Sequence, residues 1–202
     1  MKKKFAFLVL SLALFTSCAT HKYSQINHSK FYQEDYPDNV FKTNVFNSND
    51  SISELFVQVD INTLAVLSGI SRAEVLNNFV LDYSLVEGNK EKEVIQVGRI
   101  NLFDSPDQSE FYKSFKIRLK TKTLGAFVLF SSIENKTKSK VYTSRTDILK
   151  GLSFSEQDYI LLNEDGSIHW SRFIGENERV KIRVNKVDAK ELYISWYAPK
   201  FS

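Results

Sequence analysis

The chain has 202 residues, 43% of them hydrophobic and 25% charged, with 27 Lys plus Arg against 24 Asp plus Glu and a single cysteine. Three of the lysines are Lys2, Lys3 and Lys4, so past the N-terminal segment the balance is 24 against 24, and the sequence pI of 8.8 belongs mostly to the first few residues. A balanced surface excludes a general attraction to nucleic acid, which depends on neutralising phosphates. One cysteine excludes an intrachain disulfide and leaves core packing to hold the fold.

Lys2, Lys3 and Lys4 are followed by an apolar run from Phe5 to Phe15, about 11 residues long. Spanning a hydrocarbon core takes roughly 20 helical residues, so the run fits the core of an export signal and not a permanent membrane helix. Phe15-Thr16-Ser17-Cys18 resembles the bacterial lipoprotein signal, with Leu14 one position earlier than the usual leucine. In that signal a peptidase cuts before the cysteine, whose sulfur and amine then carry acyl chains. The resemblance implies removal of residues 1–17 and acylation of Cys18, which would anchor the protein to a membrane. Each buried methylene contributes ~0.8 kcal/mol, one chain binds only reversibly, and several chains hold firmly. By resemblance to bacterial sorting signals, Ala19 favours the outer membrane. Ala19 to Gln25 lacks the acidic residues of surface export, so a periplasm-facing protein is expected.

Residues 18–39 read as a lipidated tether, polar and without apolar periodicity but dotted with Tyr23, Phe31, Tyr32 and Tyr36. Its second half, Phe31 to Pro37, is expected to pack against the first domain. Glu34, Asp35 and Asp38 have none of the spacing of a calcium loop and read as a solvated acidic loop.

Residues 40–148 alternate as strands do. After an opening edge at Val40 to Phe46, Leu55, Val57 and Val59 alternate with Glu54, Phe56, Gln58 and Asp60, the period of a half-buried strand. Asn62 to Asn77 has mixed spacing interrupted by Gly69, and predicts a long crossover with one short helical turn. Ser68-Gly69-Ile70-Ser71 lacks the flanking glycines of a nucleophile elbow. Phe79, Leu81, Tyr83 and Leu85 form the next strand, Glu87-Gly88-Asn89-Lys90 turns, and Val94, Ile95 and Val97 return. Phe111, Phe115, Ile117 and Leu119 share one face of a further strand, opposite Lys116, Arg118 and Lys120. Leu124, Ala126, Val128 and Phe130 are expected to pair with it, and Glu134-Asn135-Lys136 turns into Val141 to Arg145. About seven strands at regular spacing predict an all-β, immunoglobulin- or fibronectin-III-like antiparallel sandwich.

Residues 149–202 predict a smaller four-stranded β module. Tyr159 to Leu162 meets Asn163-Glu164-Asp165-Gly166 and returns as Ile168 to Phe173, a hairpin code because Asp-Gly tolerates positive φ. Val180, Ile182 and Val184 alternate next, then Leu192, Ile194 and Trp196 against Tyr193, Ser195 and Tyr197. One layer of four strands needs a cover for its apolar face, so that face either packs on the sandwich or awaits further chain.

Asp158-Tyr159-Ile160-Leu161-Leu162, Ile168-His169-Trp170-Ser171-Arg172-Phe173 and Leu192-Tyr193-Ile194-Ser195-Trp196-Tyr197-Ala198-Pro199-Lys200-Phe201 resemble the N-terminal half of the GWxTD-domain lipoproteins of Bacteroidota. Asn49-Asp50-Ser51-Ile52-Ser53-Glu54-Leu55-Phe56 is similar too. The resemblance implies an envelope protein of β-sandwich domains with no assigned activity. The Gly-Trp-x-Thr-Asp signature itself does not occur in this sequence.

Chemistry-bearing patterns are sparse. His21 and His28 fall in the tether and His169 in a strand beside Trp170, where adjacent side chains face opposite sides. No His-Glu-x-x-His helix, phosphate loop or paired-cysteine site is present, so neither cofactor nor metal is expected. Two features point to binding. Lys116, Arg118 and Lys120, with Lys122 beyond, make a one-sided basic strand face suited to an anionic lipid, glycan or acidic protein, or simply to solvent. Trp170, Tyr193, Trp196 and Tyr197 enrich the second module in the residue types of interface hot spots, and an unpaired edge there would accept a partner's strand. The expected function is a non-enzymatic, membrane-anchored binding or assembly component with an envelope protein partner. An accessory of a secretion or gliding-type machine is the alternative, and a glycan- or peptide-processing enzyme the disfavoured one.

Overall fold

The computed structural model describes residues 40–88, 90–105, 109, 111–122, 124–136, 141–151, 155–171, 174–175 and 177–185. The export signal, Cys18, the tether and the segment Leu192 to Tyr197 lie outside the described residues. Seven strands make the first unit: β1 (Phe41–Asn49), β2 (Ile52–Asp60), β3 (Phe79–Glu87), β4 (Lys90–Asn101), β5 (Tyr112–Lys120), β6 (Gly125–Asn135) and β7 (Val141–Lys150). They form two antiparallel sheets, ordered β1-β2-β5 and β4-β3-β6-β7. The fourth strand joins the sheet of the third, the arrangement of fibronectin-III-like sandwiches, whereas in immunoglobulin constant domains it joins the first sheet.

Alternation places Val45, Leu55, Val57, Phe115, Ile117 and Leu119 of one sheet against Phe79, Leu81, Leu85, Phe127, Leu129 and Ile133 of the other. All are buried in one continuous core. β6 departs from the expected pairing. It runs between β3 and β7 and makes no ladder with β5. The reason is that Phe127, Val128, Leu129 and Phe130 are buried on both faces. A strand at the centre of a sheet needs no polar face, so its alternation carries no information about which neighbour it takes.

The crossover from β2 to β3 holds two helices rather than one turn, α1 (Ile61–Ser68) and α2 (Arg72–Asn78). Asp60 caps the first, accepting from the Thr63 amide at 2.9 Å. Gly69 ends it in the left-handed region at φ 64°, where a side chain would be strained. Ser71 and Glu74 then close a reciprocal capping box that starts α2 at once. Gly69 is therefore the stop of one helix, and both helices bury apolar residues, Ile61, Leu64 and Val75, against the core. Phe111, expected to share the buried face of β5, lies ahead of the strand and is exposed, with the Arg72 guanidinium 5.6 Å from its ring centre.

The second unit is described in part: β8 (Tyr159–Leu162) and β9 (Lys181–Val184) pair antiparallel. Gly166, at φ 86°, turns the chain so that Ile168 bridges back to Leu162. The predicted strand Ile168 to Phe173 is reduced, among described residues, to that single bridge followed by a bond from the His169 amide to the Leu161 carbonyl at 3.0 Å.

Candidate functional site

The surface that brings chemistry together is the outer face of the three-stranded sheet. Along β2 it presents Glu54, Phe56, Gln58 and Asp60, and register sets Lys116 opposite Phe56 and Arg118 opposite Glu54. Phe46 comes from β1. One end of this face is covered by the second unit, whose Ile160, Leu162, Ile168 and Trp170 pack on Phe46 and Phe56. Trp170 is thus a half-buried docking residue rather than a free anchor.

Charge is organised around the same spot. Glu54 is buried at 7% exposure, and its carboxylate meets Lys116 Nζ at 3.0 Å and Arg183 Nη1 at 3.3 Å. Both cations also lie over rings, Lys116 at 5.5 Å from the Phe56 centre and Arg183 at 4.8 Å from that of Phe46. A buried carboxylate is tolerated when it is paired, and here one of its partners arrives from β9. The Glu54 node therefore ties the second unit to the sandwich.

A polar junction fixes the other side of that unit. β1 slips register between Phe46 and Asn49, and the bulge leaves Asn47 buried. Asn47 donates from Nδ2 to the Leu149 carbonyl at 3.0 Å and to Asp158 Oδ1 at 3.3 Å, while its Oδ1 accepts from Ser53 Oγ at 2.8 Å. Lys150, only 5% exposed, donates to the Asn49 and Ile52 carbonyls of the β1-β2 turn. Burial pushes its pKa down, against the pull of Asp50 and Asp158.

The four cations of the predicted basic face have different fates. Lys116 is paired with Glu54, and Lys122 crosses to Glu87 of β3 at 3.0 Å. Arg118 and Lys120 are exposed, and their main-chain groups are taken by the Gln96 side chain from β4. Its Nε2 donates to the Arg118 carbonyl at 3.0 Å, and its Oε1 accepts from the Lys120 amide at 2.9 Å. His169 is buried at 8% exposure, with Nδ1 3.0 Å from Asn163 Oδ1 and 3.3 Å from Glu178 Oε1. Asn163 Nδ2 donates to Ser167 Oγ and the Ile168 carbonyl. Its oxygen therefore faces the ring, and Nδ1 carries the hydrogen. This histidine braces the hairpin. Cys18, Tyr193, Trp196 and Tyr197 lie outside the described residues.

Sequence reasoning passed over Glu54 and Phe56 because alternation put them on the solvent side. An aromatic on an otherwise polar strand face was the available signal that something covers it.

The second unit has a further face. Tyr159, Leu161, Ile182 and Val184 project opposite to Ile160 and Leu162, with Tyr159 46% and Val184 36% exposed. Among the described residues no element packs over this row. β8 has one edge paired with β9 and the other engaged by Ile168 and His169, whereas β9 has a single described neighbour.

A comparison with the models of known protein families gives no match. A comparison with curated proteins gives none either.

Proposed function

We propose that this chain is a lipid-anchored protein of the bacterial cell envelope, held by acylated Cys18, which binds a protein partner without performing catalysis. Lys2 to Lys4, the short apolar run and Thr16-Ser17-Cys18 support the anchor. The observation that carries the binding role is the apolar row on the outer face of the second unit's sheet, over which no described element packs. Ile160 and Leu162 are docked on the sandwich, while Tyr159, Leu161, Ile182 and Val184 face outward beside the β9 edge. An apolar row left uncovered among the described residues suits an assembly component. The resemblance to GWxTD-domain lipoproteins supports an envelope setting, and outer-membrane placement facing the periplasm follows from Ala19 and the lack of acidic residues after it.

Affinity capture from detergent-solubilised envelopes tests the reading, using the wild type, Cys18→Ala, and the pair Tyr159→Ala with Val184→Lys. Partners retained by Cys18→Ala and lost from the face variant are expected. Partners indifferent to the face variant would contradict the assignment of that surface. Intact-mass analysis of the membrane fraction reads the acyl chains directly, and an unmodified Cys18 there would sink the anchor.

A further inference from the structure

The covered end of the three-stranded sheet holds Phe46, Phe56 and Glu54; no described element packs on its other end. There, Val40, Phe41, Lys42, Gln58, Asp60, Thr63 and Tyr112 line a cleft of about 450 Å3, within the ~300–1,000 Å3 usual for small-molecule sites. Register explains the convergence. Lys42 lies opposite Gln58, and Asp60 opposite Tyr112, so two adjacent rungs of the sheet project their polar groups to one side. α1 begins immediately after Asp60 and brings Thr63 to the rim.

We propose that this cleft binds a neutral saccharide. Lys42 and Asp60 cancel, so nothing in the described lining favours a phosphate or a polyanion. Val40 and Phe41 are buried, at 0% and 3% exposure, and give little apolar depth for a lipid chain. What remains is one exposed ring, Tyr112 at 43%, surrounded by hydrogen-bonding groups. A pyranose has the matching surface, an apolar C–H face for the electron-rich ring face and a rim of hydroxyls that both donate and accept. Gln58 supplies a donor and an acceptor, and Lys42 supplies donors. Asp60 is held rigidly by its cap bonds from the Thr63 amide at 2.9 Å and the Thr63 hydroxyl at 3.0 Å, and each oxygen keeps a further lone pair. The side chains of Lys42, Gln58 and Tyr112 make no hydrogen bond or ion pair among the described residues, unlike Glu54 and Lys116 on the same face. Among the described residues the lining holds one carboxylate, Asp60, whereas most glycoside hydrolysis uses a pair.

The test is an amide NMR titration of the mature protein with diacetylchitobiose, cellobiose, maltose and mannobiose at millimolar concentration, with inorganic phosphate and a neutral peptide as comparisons. At least one disaccharide shifts the signals of Lys42, Gln58 and Tyr112 saturably. Tyr112→Ala weakens it about tenfold or more, Gln58→Ala weakens it as well, and Tyr112→Phe keeps the ring and the binding. If Tyr112→Ala loses its folded spectrum, Gln58→Ala and Lys42→Ala decide. No saturable shift with any of the four sugars, shifts indifferent to these variants, or phosphate or peptide binding in their place would overturn the proposal.

Discussion

Asp165 shows how much a single turn residue does in the second unit. Its Oδ1 accepts from the Ser167 hydroxyl at 2.7 Å and from the Ser167 amide at 2.8 Å. The hydroxyl bond is the main cause holding its pKa below the ordinary carboxylate value, followed by the amide bond. A lowered folded-state pKa means that the unfolded chain takes up protons first as pH falls. The turn's contribution is present above the ordinary aspartate value, about 3.9, and is lost as pH falls through the lower folded value. In an NMR pH titration the Gly166 and Ser167 amides are expected to shift with a midpoint below that of a free aspartate, and Ser167→Ala to move the midpoint back up. An unshifted midpoint in the wild type would contradict the geometry. Asp-Gly was legible as a turn because both residues tolerate positive φ. The burial of His169 and Lys150 was not, since it depends on acceptors brought from other parts of the chain, Glu178 in one case and the β1-β2 turn in the other.

At the scale of elements, two glutamines close the sheet edges in the same way. Gln96 takes the Arg118 carbonyl and Lys120 amide of β5. Gln157 donates to the Asp147 carbonyl at 2.6 Å and accepts from the Leu149 amide at 3.1 Å, on β7. A primary amide presents a donor and an acceptor side by side, so each glutamine imitates one residue of a neighbouring strand and occupies an edge that would otherwise recruit another chain. Replacing both with alanine is expected to cost roughly 1–2 kcal/mol, because the freed groups are exposed and water recovers part of each bond. It should also produce concentration-dependent association in sedimentation velocity. A double variant that sediments like the wild type at every concentration would contradict the edge role. The strands themselves could be read from alternation, which reports one buried face. The partner of β6 could not, because both of its faces are buried. The Ser71 and Glu74 spacing of a capping box marks the start of the second helix, a signal obscured where Gly69 breaks the apolar periodicity.

Over the whole molecule, the outer face of the three-stranded sheet is where the parts meet. Its Phe46 and Phe56 hold the second unit, Glu54 gathers one cation from each side, and Asn47 ties β1 to Asp158. That face was expected to be solvent, and the second unit was expected to need a cover. Each supplies the other's missing surface, a relation that local periodicity does not encode. For the proposed binding role the consequence is a fixed presentation: the row Tyr159, Leu161, Ile182 and Val184 points away from the sandwich in a set direction instead of swinging on a linker. Removing a buried phenylalanine side chain costs ~3–5 kcal/mol, far more than one exposed ion pair contributes. Phe56→Ala should therefore free the second unit while leaving β3 and β6 in place. Hydrogen exchange read by mass spectrometry on the mature wild type and on Phe56→Ala measures this directly. Slow exchange of β8 and β9 in the wild type is expected, accelerated strongly in Phe56→Ala while β3 and β6 stay protected. Fast exchange of β8 and β9 in the wild type, or exchange indifferent to the substitution, would contradict the docked arrangement.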